Sequence, residues 1–124
     1  MIEVETKDGI VVATAKGEVT ADDYEKTLVP GIEAAIAAHG PVRMLYWFGP
    51  EFTGFSAGGA WADMRLGMRH LRDIERVAVV TDNHVMGATV QAFAAVLPMA
   101  VRVFGDADIA AANAWLVADD PAKG

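Results

Sequence analysis

One hundred and twenty-four residues and 13.1 kDa match the usual size of one folding unit, with one hydrophobic core and no room for a second. Hydrophobic residues make up 53% of the chain, too many for disorder, and the lack of cysteine excludes disulfides, thiolate-ligated zinc, iron–sulfur clusters and a cysteine nucleophile. A net charge of -7 argues against nucleic acid as a partner, because most of the surface repels a polyanion. These numbers predict one domain over 1–120 with a tail at 121–124, and a cytoplasmic address.

Acidic Glu3 and Glu5 alternate with apolar Ile2 and Val4, which reads as a strand and not as a targeting segment. Asp8-Gly9 then supplies a hairpin turn into a second strand, Ile10 to Ala15, ended by Gly17. Thr20 and Asp23 stand in the relation of a capping box, so a helix starts at Ala21. Tyr24, Leu28, Ile32 and Ile36 give it one apolar stripe up to His39, and Gly40-Pro41 stops it. Pro30 inside the stripe predicts a kink at Val29-Pro30-Gly31 or two short helices in line.

Arg43 to Phe48 is an almost continuous apolar run, expected as a central strand covered on both faces. The Gly- and Pro-bearing stretch Gly49 to Phe55 reads as a loop, followed by a helix from Ser56, its N-cap, to about Leu71. Arg76 to Thr81 reads as a buried strand, and Asp82 as the cap of a helix with Met86, Val90, Phe93 and Leu97 at helical spacing. The stretch from Val85 to Val101 is too short and too interrupted to span a membrane. A short strand, Ala100 to Phe104, precedes a final helix capped by Asp106, with Ile109, Ala112 and Leu116 facing inward. The order β-β-α-β-α-β-α-β-α implies an α/β fold with a mixed, mostly parallel five-stranded sheet. Ligands collect at the carboxyl ends of such strands.

Four segments in order, Gly17 to Pro30, Phe52 to His70, Glu75 to Asp82, and Arg102 to Phe104 with Asn113 to Leu116, resemble the SpoIIAA-like proteins of the STAS superfamily. That resemblance implies helices packed largely on one face of the sheet, a likeness to lipid-transfer domains of the CRAL-TRIO type, small-molecule or lipid binding with membrane association, and no enzymatic activity. The signalling branch of the superfamily also has a phosphorylated serine at the start of the helix after a central strand, within Asp-Ser-(Ser/Thr)-Gly. The matching serine here is Ser56, the only one in the chain, and Phe55 precedes it in place of Asp. A plain helix cap accounts for Ser56 without a phosphorylation switch.

Gly54 to Gly58 also matches the G-x-S-x-G nucleophile elbow, with Asp63, Asp73, Asp82, His70 and His84 as conceivable partners. The elbow needs its serine directly after a strand, and the loop expected at Gly49 to Phe55 argues against a hydrolase. His39, His70 and His84 fall on different elements with no metal-ligand spacing, so no metal or cofactor is expected. Arg65, Arg69 and Arg72 border the stripe of Trp61, Met64 and Met68, giving an amphipathic helix suited to an anionic membrane surface, or an ordinary packed helix with local ion pairs. Trp47, Phe52, Phe55, Trp61, Met64 and Met68 are the candidate lining of a pocket for an apolar or amphipathic small molecule or lipid. The expected function is therefore a non-enzymatic binding module, cytoplasmic with peripheral membrane contact. The alternative is a regulatory protein–protein interaction module, and an apolar fraction this high also suits a homodimer.

Overall fold

The computed structural model describes residues 1–56, 73–95 and 99–118, apart from the Phe93 side chain. Five strands form one sheet: β1 (Ile2–Lys7), β2 (Ile10–Val19), β3 (Val42–Phe55), β4 (Ile74–Thr81) and β5 (Ala100–Phe104). They lie in sequential order, β1 antiparallel to β2 and the rest parallel. The β1–β2 turn is the Asp8-Gly9 hairpin, both residues at positive φ (54° and 78°).

Right-handed crossovers that always step in the same direction along a sheet deliver their helices to the same face. The crossover from β2 to β3 carries α1 (Ala21–Asp23), a π-turn (Tyr24–Leu28) and α2 (Val29–His39); the crossover from β4 to β5 carries α3 (His84–Ala94). Tyr24, Leu28, Ile32 and Ala35 from these elements are buried with Val11, Ala13, Met44, Tyr46, Phe48 and Val79 of the sheet, and Met86 and Val90 pack against them. The chain then passes through a 3-10 turn (Asp106–Asp108) into α4 (Ile109–Val117), which returns over the opposite face. There Ala112 and Leu116 are buried against Leu45, Ala78 and Val80.

Several local expectations change. Thr20 and Asp23 do form the capping box, each binding the other's backbone N–H. The irregularity assigned to Pro30 falls one turn earlier, in the π-turn, so that α2 restarts at Val29 with Pro30 in its first turn, where a missing N–H costs nothing. Asn83, not Asp82, caps α3, its Oδ1 accepting from the Met86 N–H at 3.0 Å. Asp106 is not a cap either, since α4 begins from the 3-10 turn without a side-chain cap.

The largest difference is at Gly49 to Phe55, which is strand and not loop. β3 continues through this stretch by pairing Phe52, Gly54 and Phe55 with Gly17, Glu18 and Val19 of β2, which itself runs four residues beyond Ala15. Register shifts around Gly17 (φ 60°), with Gly54 at φ 136°, absorb the Gly and Pro signals as a bulge. Ladder pairing thus outweighs local turn chemistry.

Two arginines hold the end of α4. Arg43 Nη1 donates to the carbonyls of Leu116 and, at 3.0 Å, Ala118, while its Nε donates to Glu75 Oε1 at 3.3 Å. Arg76, 1% exposed, donates from Nη1 to the Trp115 carbonyl and lies over the Trp115 ring at 5.4 Å. Both cations sit where the helix dipole is negative.

Candidate functional site

The carboxyl ends of β2 and β3 form the corner that holds Ser56. Because β3 is strand to Phe55, Ser56 follows it directly, and its N–H donates to the Val19 carbonyl at 2.9 Å. That bond extends the β2–β3 ladder by one step and fixes Ser56 beside Thr20, the cap of α1. The amino group of Met1 tightens the same corner, donating to the carbonyls of Lys16 at 2.9 Å and Glu18 at 2.7 Å, and standing 3.2 Å from Asp23 Oδ2. Partial burial pushes the Asp23 carboxyl up, but the Thr20 N–H, the Met1 amine and the Thr20 hydroxyl outweigh it and hold the group below its ordinary value.

Beneath Ser56 lies an aromatic cluster on the α1–α2 face. Phe48 is buried; Phe52 and Phe55 are partly exposed. Their rings meet edge to face, at 4.9 Å (Phe48–Phe52), 5.6 Å (Phe48–Phe55) and 5.2 Å (Phe52–Phe55), and Tyr46 stacks on Phe48 at 4.2 Å. Deeper in, the Tyr24 and Tyr46 hydroxyls share a buried hydrogen bond of 2.7 Å. Phe52 and Phe55 pack against the core in this cluster.

Trp47 does not join them. Alternation along β3 sends it to the α4 face, where its Nε1 donates to Asp106 Oδ1 at 3.2 Å. The Gly49 backbone lies against the indole, so that a Cβ at Gly49 would stand 3.2 Å from Trp47 Cε2. A shallow cleft of about 250 Å³ opens beside it, edged by Glu3, Lys16, Pro50 and Glu51. A second cleft of about 410 Å³ lies at the amino ends of the strands, by His39, Arg43, Glu75 and Val117. Neither contains Phe52, Phe55 or Ser56.

Trp61, Met64 and Met68, the arginines Arg65, Arg69 and Arg72, and His70 lie outside the described residues, as does the helix expected from Ser56 to Leu71 beyond Ser56 itself. The strand running into Ser56 removes the loop that argued against a nucleophile elbow. Among the described residues it assembles no triad: His39 lies at the opposite end of the sheet from Ser56, and neither His39 nor His84 makes a side-chain hydrogen bond or ion pair there. No cluster of three metal-ligating side chains occurs among the described residues either.

The SpoIIAA-like family model matches residues 10–117 of this chain. The chain belongs to the SpoIIAA-like family. A solved relative, an uncharacterized protein of the DUF3478 family with a SpoIIAA-like fold from Shewanella loihica PV-4, is 26% identical with a TM-score of 0.76, over 94% of this chain and 92% of that one. The anti-sigma factor antagonist SpoIIAA in its unphosphorylated form has the same fold, with a TM-score of 0.64 at 15% identity over 95% of this chain and 100% of that one. No curated protein matches this chain. This SpoIIAA-like protein has no helix among its described residues long and apolar enough to cross a membrane.

Sequence reasoning missed Arg43 and Arg76 as anchors of α4. Arg76 lies in the buried strand expected from Arg76 to Thr81, but its contact with the end of α4 was not anticipated. The available signal was a charge inside an otherwise apolar strand run, which belongs there only if it meets polar backbone.

Proposed function

We propose that this SpoIIAA-like chain is a non-enzymatic regulatory module that binds a protein partner through the Ser56 corner. The observation that carries the reading is the position of Ser56, directly after the central strand, pinned by the Val19 carbonyl and flanked by the partly exposed rings of Phe52 and Phe55. Partner recognition of this kind uses rigid aromatic anchors beside a few fixed polar groups. Phe55 in the place of an acidic residue makes docking, and not phosphorylation of Ser56, the primary event. The fold shared with an anti-sigma factor antagonist supports an interaction role.

A second reading has one observation in its favour. The Phe48–Phe52–Phe55 cluster at the carboxyl end of the sheet is a surface on which an apolar or amphipathic molecule would also settle, with Trp61, Met64 and Met68 as further lining and Arg65, Arg69 and Arg72 toward an anionic lipid surface. Native mass spectrometry of the chain purified without detergent from its own cells, wild type beside Phe52→Ala, separates the two. The first reading predicts an added protein mass that Phe52→Ala removes. An added mass of small-molecule or lipid size in its place would move the assignment to the second, and a bare chain in both samples would contradict both.

A further inference from the structure

The two edges of the sheet differ in chemistry. An open strand edge presents unpaired backbone N–H and C=O groups to any extended chain, and charged side chains are a usual defence. The β1 edge is defended, with Glu3, Glu5 and Lys7 all exposed. The β5 edge, Ala100–Phe104, has one charge, Arg102. Val101 and Val103 turn toward the α3 face and pack on the core, leaving Ala100 and Arg102 exposed on the α4 side. Among the described residues no backbone hydrogen bond beyond the β4 ladder involves this strand.

Arg102 points to what the edge accepts. In a chain of net charge -7 it has no carboxylate within ion-pair distance among the described residues. Its guanidinium is instead spread over two rings, 5.2 Å from Phe104 and 5.5 Å from Trp115, which holds it beside the edge without a hydrogen-bond partner among the described residues. A second copy is a poor occupant: antiparallel pairing about the middle of this five-residue strand sets Arg102 against Arg102. A strand with an acidic side chain at that position gains an ion pair where a copy meets repulsion.

We infer that the open edge of β5 takes up an extended acidic segment of a partner protein as a sixth strand, its carboxylate beside Arg102. This is strand addition, in which main-chain bonds supply affinity and alternate side chains supply specificity. It uses a different edge from the Ser56 corner and stands independently of that reading.

The test uses two synthetic nine-residue peptides, one alternating valine with glutamate and one alternating valine with lysine, with hydrogen exchange read at each strand of the whole chain. The inference predicts saturable protection of amides 100–104 by the glutamate peptide and at least tenfold weaker binding of the lysine peptide. Arg102→Glu reverses that preference, and Lys7→Glu leaves it unchanged. Equal protection by both peptides, protection at β1 instead, or protection of 100–104 that depends only on the chain's own concentration would overturn it. Because the readout is the β5 amides and the preference is reversed by charge, a loss of stability in Arg102→Glu is distinguished from a loss of recognition.

Discussion

Arg76 is a charged side chain buried in the core, and replacing it gives a prediction with an unusual sign. The side chain is 1% exposed, has no carboxylate partner among the described residues, and leaves Nε without a hydrogen-bond partner. Arg76→Met keeps most of the volume. It loses a charged hydrogen bond of about 1.5–3 kcal/mol, a ring contact of up to about 2 kcal/mol and a helix-dipole contribution of about 0.3–1 kcal/mol. It also removes a buried unpaired charge, an effective penalty of several kcal/mol, and an orphaned donor of about 1–3 kcal/mol. The Trp115 carbonyl stays satisfied, since the Ala118 N–H already donates to it at 3.3 Å. Arg76→Met should therefore fall within about 1 kcal/mol of the wild type or above it, whereas Arg76→Ala, which also leaves a cavity, should lose about 2–5 kcal/mol. An unfolding entropy of about 2.1 cal/mol/K per residue makes 1 kcal/mol about 4 °C for a chain of this length. Calorimetry should place the Met variant no more than about 4 °C below wild type and the Ala variant about 8–20 °C below. A Met variant that melts as low as the Ala variant would refute the reasoning, because the guanidinium would then be a net stabiliser.

Other substitutions test the corner and the packing around it. Asp23→Asn keeps an acceptor for the Thr20 N–H but removes the negative charge beside the Met1 amine and the helix start, and should lower stability at neutral pH by about 0.3–1 kcal/mol. Since the folded carboxyl titrates below its ordinary 3.8, the wild-type advantage should be full above that value and vanish as pH falls through the folded one, as followed by thermal melts across acid pH. A Cβ at Gly31 would stand 2.8 Å from Val4 Cγ1, where α2 meets β1, so Gly31→Ala should cost about 1–3 kcal/mol, and a double-mutant cycle with Val4→Ala should recover much of it. Leu116→Ala, which empties one of the two fully buried side chains of α4, should cost about 2–5 kcal/mol by denaturant titration.

Much of the fold was legible because its elements are locally consistent. The Asp8-Gly9 hairpin, the Thr20/Asp23 box and the apolar stripe of Tyr24, Leu28 and Ile32 each carry their own signal. What was not legible depends on partners distant in sequence. Gly49 to Phe55 has the composition of a loop and becomes strand only because β2 continues beside it. Asp82 and Asn83 are both good caps in the sequence, and the choice fell to Asn83 because Asp82 Oδ1 accepts the Asp106 N–H at 2.9 Å. Trp47 was readable in principle, since period-two alternation opposes it to Tyr46 and Phe48, but an apolar run hides which face each residue takes. Ser56 was legible as a helix start, and the resemblance alone made it a candidate site, while the arginine anchors of α4 required knowing where that helix ends.

The most direct test of the Ser56 corner as a docking surface is site-specific photo-crosslinking in the protein's own cells. A photoreactive residue at position 52 is compared with one at Ala38, on the outward side of α2. The account predicts peptides of one protein joined at position 52, none at position 38, and loss of the adduct when Phe55→Ala is added. Equal labelling from both positions, or none from position 52, would contradict it.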